Sequence, residues 1–205
     1  MAKDNRDSIV VREISPDDWP LIELLFGEKG ACGGCWCMHW RTPKGGKMWE
    51  EAKGEPNKKS ARRLIMGGKA AGIIALDKSE PVGWCSFGRR DEFPRLDRTK
   101  AYQYVSAPKI ERNEIYSIVC FFVKASHRKL GLGKRMAKAA VDAIAKRSGQ
   151  LVEAYPVTLT KAGNKLPPAF SFTGPETLFE RLGFEEVQRL ADSRPLYQLK
   201  LERHD

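Results

Sequence analysis

The stretch VKASHRKLGLGKRM, residues 123–136, constrains the fold of this chain more than any other. It is entered from IYSIVCFFV (115–123), a nearly continuous β-branched and aromatic run, which is the pattern of a strand buried on both faces. It is left through Leu132, Met136, Ala140, Ala143 and Ile144, whose spacing predicts an amphipathic helix over about 132–147, closed by Gly149. Between the two lies Arg128-Lys129-Leu130-Gly131-Leu132-Gly133. Glycines let a backbone turn tightly and approach a ligand closely. The first N–H groups of a helix lack intrahelical acceptors and carry the positive end of its dipole. With Arg128, Lys129, Lys134 and Arg135 added, such a turn suits a pyrophosphate. The bland alternative is a plain strand-to-helix turn with a solvated basic face. Neither the dinucleotide pattern G-x-G-x-x-G nor the P-loop pattern is present.

The other elements arrange themselves around this unit. IVVREI (9–14) reads as a strand. Ser15, Pro16 and Asp17-Asp18 then open a helix through WPLIELLF to Gly27. Residues 27–49 are glycine-rich and irregular, yet carry Trp36, Met38, Trp40 and Trp49. A helix is expected at about 57–67, and a hairpin from AGIIAL (71–76) and PVGWCSFGRR (81–90). Residues 91–113 read as a long loop, LVEAYPV (151–157) as a strand, and 158–174, with Pro167 and Pro168, as a loop. PETLFERL (175–182) reads as a helix, followed by closing strands FEEVQRL and RPLYQLKL. This order implies a mixed α/β sheet with a late βαβ unit, one domain over residues 1–205.

Lysine and arginine number 36 against 26 acids, a net charge of +10. The basic residues are spread along the chain rather than gathered with stacking aromatics, which argues against specific nucleic-acid binding. A funnel for a phosphate-rich cofactor accounts for part of the excess. No apolar run approaches the roughly 18 residues of a membrane span. MAKDNRDSIVVREI has no apolar h-region, so a cytoplasmic location is expected. The five cysteines, an odd number, argue against a disulfide framework.

The turn resembles motif A of the GNAT (GCN5-related) N-acetyltransferase superfamily, Q/R-x-x-G-x-G/A, with Arg128, Gly131 and Gly133 at its fixed positions. FFVKASH is similar to the strand ending before that motif, and LFERLGF (178–184) resembles the family's LYEKLGF. The resemblance covers nearly the whole element order. It implies the GNAT fold: one α/β domain with a mixed, mostly antiparallel sheet, flanking helices and two splayed central strands. It also implies acetyl-CoA as cosubstrate and an amine as acceptor, with direct transfer between them. Arg128, Lys129, Leu130, Gly131, Leu132, Gly133 and Lys134 would hold the pyrophosphate. Phe122 and Val123 would offer backbone groups to the pantetheine arm and the thioester carbonyl, and Phe179 would close the CoA side. Family members often dimerise, so a homodimer is an expectation of the same kind.

The catalytic positions depart from the family pattern. The strand glutamate that serves many members as base falls at Ser117, and serine is no base without help. Glu114 is close in sequence but offset by three, on the other face. Phe179 replaces the tyrosine that usually acts as acid, which leaves Tyr155 as an alternative hydroxyl. Cys120 could carry an acetyl group in a ping-pong route, though such a strand cysteine is commonly a small buried hydrophobe.

CGGCWCMHW (32–40) invites a zinc reading through Cys32, Cys35, Cys37 and His39, but four ligands so close in sequence strain a tetrahedral site. By position it would line the acceptor site in the family, with Trp36, Met38 and Trp40 as an apolar or aromatic wall and His39 as a group that binds or deprotonates an amine. The alternative is that these aromatics only pack the loop onto the sheet. A similar Cys-Trp-Cys-Met segment occurs in a bacterial branch that the chain resembles. Two other readings stay open: a CoA-binding sensor without catalysis, and a zinc- or thiol-based interaction protein.

Overall fold

The computed structural model describes residues 8–43, 47–99, 102, 110–158, 171–189 and 194–202. The strands are β1 (Ile9–Glu13), β2 (Ala71–Asp77), β3 (Glu80–Arg89), β4 (Ile115–Val123), β5 (Leu151–Ala154), β6 (Glu185–Gln188) and β7 (Leu196–Lys200). The helices are α1 (Trp19–Phe26), α2 (Lys47–Ala52), α3 (Glu55–Met66), α4 (Pro94–Arg98), α5 (Leu132–Ala145) and α6 (Glu176–Glu180). The strands form one seven-stranded sheet in the order β1-β2-β3-β4-β5-β7-β6. Among the strands of the described residues only β4 and β5 pair in parallel, because α5 carries the chain back between them. The expected mixed α/β sheet is therefore present.

Two hydrophobic layers clothe the sheet. Leu132, Met136, Ala140, Ala143 and Ile144 of α5 pack on Val82, Phe87, Tyr116, Ile118 and Val152 from the strands, together with Phe179 and Phe184. The stripe read from the sequence is the face that α5 buries. On the opposite side α1, α3 and the glycine-rich loop pack Trp19, Phe26, Trp36 and Trp40 against Trp84, Val119, Cys120 and Tyr155. The loop aromatics thus do pack onto the sheet.

Several boundaries differ from the sequence reading. Residues 91–113 are not one loop: Pro94 starts α4, which buries Phe93 and Leu96 completely. Five residues are too few for periodicity to declare. The strand expected over 151–157 stops pairing at Ala154, leaving Val157 as a single bridge to Pro175. Pro156 has no N–H to continue the ladder. The helix expected at 175–182 is limited to Glu176–Glu180. Most of the expected loop over 158–174, with Pro167 and Pro168, lies outside the described residues. No helix among the described residues is long and apolar enough to cross a membrane.

Candidate active site

The glycine turn opens a groove. Lys129 and Gly131 take the left-handed conformation, at φ 66° and 76°, and Gly131 is the N-cap of α5. A Cβ on Gly131 would meet nothing within 4 Å, so glycine is needed there for its conformation and for approach by a ligand, not for packing. A Cβ on Gly133 would lie 3.0 Å from Cδ1 of Leu178, because α6 comes close. The groove between these segments has a volume of about 300 Å³. One wall is Val123 with His127, Arg128, Lys129 and the start of α5 through Lys134; the other is Pro175, Thr177, Leu178 and Arg181. Arg128 Nε donates to Val123 O at 3.2 Å, which ties the guanidinium to the end of β4.

The groove leads to a gap between the central strands. The β3–β4 register slips between Ser86 and Phe87, so Val119 is an extra residue on β4. Pairing of β4 with β5 ends at Ile118 and Ala154. Past that pair the strands separate, as the resemblance implied. The gap is not vacant. Phe121 N donates to Phe172 O at 2.6 Å, and Val157 N donates to Gly174 O at 2.9 Å. The segment around 172–174 therefore bridges both strands. The N–H of Phe121 points into the gap, and by the alternation of a strand that of Val123 lies on the same side and that of Phe122 on the other. The ring of Phe122 sits on the other side against Phe26, with centroids 5.7 Å apart.

Ser117 and Tyr155, chosen from different strands, are brought together: their hydroxyl oxygens are 2.9 Å apart. Both are fully buried. Tyr155 OH donates to Glu153 Oε2 at 2.7 Å, and Glu153 also accepts from Gln198 Nε2 at 3.1 Å. Arg90 Nε stands 2.7 Å from the same Oε2, close enough for an ion pair though off line for a hydrogen bond. Arg90 and Glu153 are 2% and 1% exposed, so this charge pair is fully desolvated. Burial, and next the Glu153 charge, push the Tyr155 phenol well above its usual range. A phenol that already donates to a carboxylate is placed to pass a proton inward to it.

The loop residues are also placed. Trp40 Nε1 donates to Val119 O at 3.1 Å, satisfying a carbonyl freed by the bulge. His39 Nδ1 is 2.9 Å from Arg95 Nη1, and its ring meets Trp40, Trp49 and Phe172 edge-on. Burial, then the charges of Arg95 and Arg194, lower His39 to about 4, so the imidazole is neutral at ordinary pH. Trp36 is buried against Trp19 and Phe26, away from His39's partners. Met38 is buried in the same core layer. Cys37 Sγ and Cys120 Sγ are 3.1 Å apart, and hydrogen bonding to Cys120, with burial, raises Cys37 well above the usual thiol range. Cys32 is exposed and Cys35 half-buried. Among the described residues no three His, Cys, Asp or Glu side chains gather as a metal would require.

Phe179 is fully buried between Phe121 and Phe184, at 6.1 and 5.2 Å between centroids, and α6 presents Thr177 and Leu178 to the groove instead. Leu130 packs at the edge of the α5 layer and is absent from the groove walls. Sequence reasoning passed over Arg90, Phe121, Glu153 and Phe172. Glu153 did leave a signal: it is the one acid inside LVEAYPV, two residues from Tyr155 and so on the same face.

A profile of the acetyltransferase (GNAT) family matches residues 37–162, more than half of the chain. The chain belongs to this family. The acetyltransferase class expected from the glycine turn is thereby shown, and the fold agrees with solved structures of the family. An N-acetyltransferase from Staphylococcus aureus Mu50 superposes with a TM-score of 0.53 at 12% identity, covering 95% of this chain and 99% of that one. The PaiA N-acetyltransferase from Thermoplasma acidophilum, in complex with coenzyme A, gives 0.54 at 13%, covering 95% and 99%. YncA, a putative acetyltransferase from Salmonella typhimurium with acetyl-CoA, gives 0.52 at 14%, covering 96% of each. No curated protein matches the chain.

Proposed function

We propose that the chain takes acetyl-CoA in the groove at the start of α5 and transfers its acetyl group to an amine that approaches from the side of the glycine-rich loop. The observation that carries this reading is the groove itself. Open amides at the helix start, a left-handed Gly131 with free space above it, and Arg128, Lys129 and Lys134 form a cradle for a pyrophosphate. Two of the similar structures named above hold coenzyme A or acetyl-CoA, which agrees with that use. Arg128, Lys129 and the amides through Lys134 would hold the diphosphate, and Val123 and Leu178 would flank the arm leading to the gap.

The chain's own groups then have separable tasks. The Phe121 amide, aimed into the gap, would donate to the thioester carbonyl and stabilise the negative charge that develops there. Phe172 must yield its place for this to happen, so a thioester in the gap exchanges one carbonyl for another on the same N–H. His39, Trp40, Trp49 and Phe172 would wall the acceptor, with His39 neutral and able to accept a hydrogen bond from an amine. Cys120 faces Cys37 in the buried loop layer, which favours direct transfer over an acetyl-cysteine route. Location in the cytoplasm and self-association remain part of this proposal, as does the single domain over 1–205.

The test is thiol release from acetyl-CoA by the purified chain across polyamines, amino acids and lysine-containing peptides. Release that depends on one amine class supports transfer and names the acceptor. Binding without release supports the sensor reading.

A further inference from the structure

We infer that Glu153 is the proton-accepting and positioning residue of the transfer, acting through Tyr155; this rests on the acetyl-transfer reading above.

The base position on β4 holds Ser117, which cannot take a proton at neutral pH unaided. In the register of the parallel pair, however, Ser117 lies opposite Glu153 on β5. The carboxylate expected on one strand is thus supplied by its neighbour, on the same face. Glu153 is not a stray surface acid: it is 1% exposed and its oxygens face Tyr155, Gln198 and Arg90. Placing an ion pair so deep costs more than a hydrophobic pair of similar volume would, so its presence wants a reason other than stability.

The geometry supplies one. Tyr155 is the first residue after β5, just beyond its last pair with β4, where the strands begin to separate. Its hydroxyl donates to Glu153 Oε2 and its oxygen is left to accept, at present from Ser117. An amine attacking the thioester forms the N–C bond and must lose a proton while the C–S bond breaks. That proton passes to Tyr155 Oη as the phenol proton passes to Glu153. The departing thiolate then takes one proton back along the same path, leaving amide and free thiol, with Glu153 ionised again. Arg90 Nε, 2.7 Å from Glu153 Oε2, fixes the carboxylate beside the phenol. Arg90 is itself anchored by Tyr102 O at 2.6 Å and Asp97 Oδ1 at 3.3 Å. The charged and titratable groups facing the network are therefore Arg90, Asp97 behind it, and the Tyr102 phenol, whose ring lies 4.7 Å from Tyr155.

The experiment compares Glu153→Gln, Tyr155→Phe and the double variant with the parent chain. Acetyl-CoA binding is read by calorimetry, thiol release with the amine panel and by slow hydrolysis, and folding by thermal unfolding. Expected is acetyl-CoA affinity within about twofold of the parent, with kcat lowered about 100-fold in each single variant. The double variant should be no worse than the singles, since both break one path, and the acidic limb of the kcat–pH profile should vanish. Unchanged kcat and pH profile in a folded Glu153→Gln chain would overturn the inference, as would additive losses in the double variant. If Glu153→Gln fails to fold, Tyr155→Phe decides alone, because it leaves the Arg90–Glu153 pair intact. A parent chain that releases thiol while both single variants match it overturns the relay only; one that binds acetyl-CoA but releases no thiol, or does not bind it, overturns the transfer reading beneath it.

Discussion

The backbone N–H of Phe121 donates to the carbonyl of Phe172 at 2.6 Å, across the gap where the two central strands part. One donor and two candidate acceptors, Phe172 and a thioester, make the gap a place of exchange. In protein labelled with 15N-phenylalanine, acetyl-CoA should shift the Phe121 amide resonance strongly, and CoA, which has no thioester carbonyl, should shift it less. Equal shifts with both ligands would place the thioester elsewhere.

Gly131 and Gly133 should fail differently when replaced. Gly131→Ala meets no neighbour, and its cost is the left-handed backbone, about 1 kcal/mol. Gly133→Val drives its Cβ against Leu178, 3.0 Å away, and pushes α6 from the groove. Both should weaken acetyl-CoA binding in a calorimetric titration. Only Gly133→Val should also alter the far side of the groove, read as changed protease protection near Leu178.

Trp40 ties the glycine-rich loop to the bulge. Trp40→Phe keeps the ring contacts in part but leaves Val119 O without its donor, a loss of about 1–3 kcal/mol for a buried carbonyl. Urea unfolding measures it. A change near zero would mean that Val119 O finds another donor.

His39 gives the stability a pH dependence of known sign. Its folded pKa, about 4, is below the ordinary 6.5, so the unfolded chain binds the proton more readily. The contribution is fully present above 6.5 and is lost as pH falls from there toward about 4. His39→Phe should therefore lose less stability than the parent between about pH 7 and about pH 4.5. An identical loss in both would mean that His39 is not held neutral by burial and the two arginines.

Much of the fold was legible because it rests on local periodicity. The α5 stripe, the buried run of β4 and the glycine turn each carry their meaning within a dozen residues. The groove followed from the same segment. The gap was implied by the resemblance alone, since its place depends on a bulge at Val119 that shows only when β3 and β4 are in register. The partnership of Ser117 with Glu153 is likewise a matter of parallel register between strands separated by a helix. Short α4 was hidden by its length, and Phe179 fills the core where a family tyrosine position suggested the groove. The Cys32–His39 segment read as lining for an acceptor or as packing, with zinc disfavoured by its crowded spacing, and only the tertiary neighbours separated Cys37, facing Cys120, from His39, facing Arg95.

The central claim is that the turn from Arg128 to Lys134 is the acetyl-CoA site. Calorimetric titration of the purified chain with acetyl-CoA tests it most directly, with the Arg128→Ala, Gly131→Ala double variant beside it. Saturable binding that the double variant abolishes while its unfolding transition survives is the predicted result. No binding by the parent chain, or equal affinity in the variant, would contradict it.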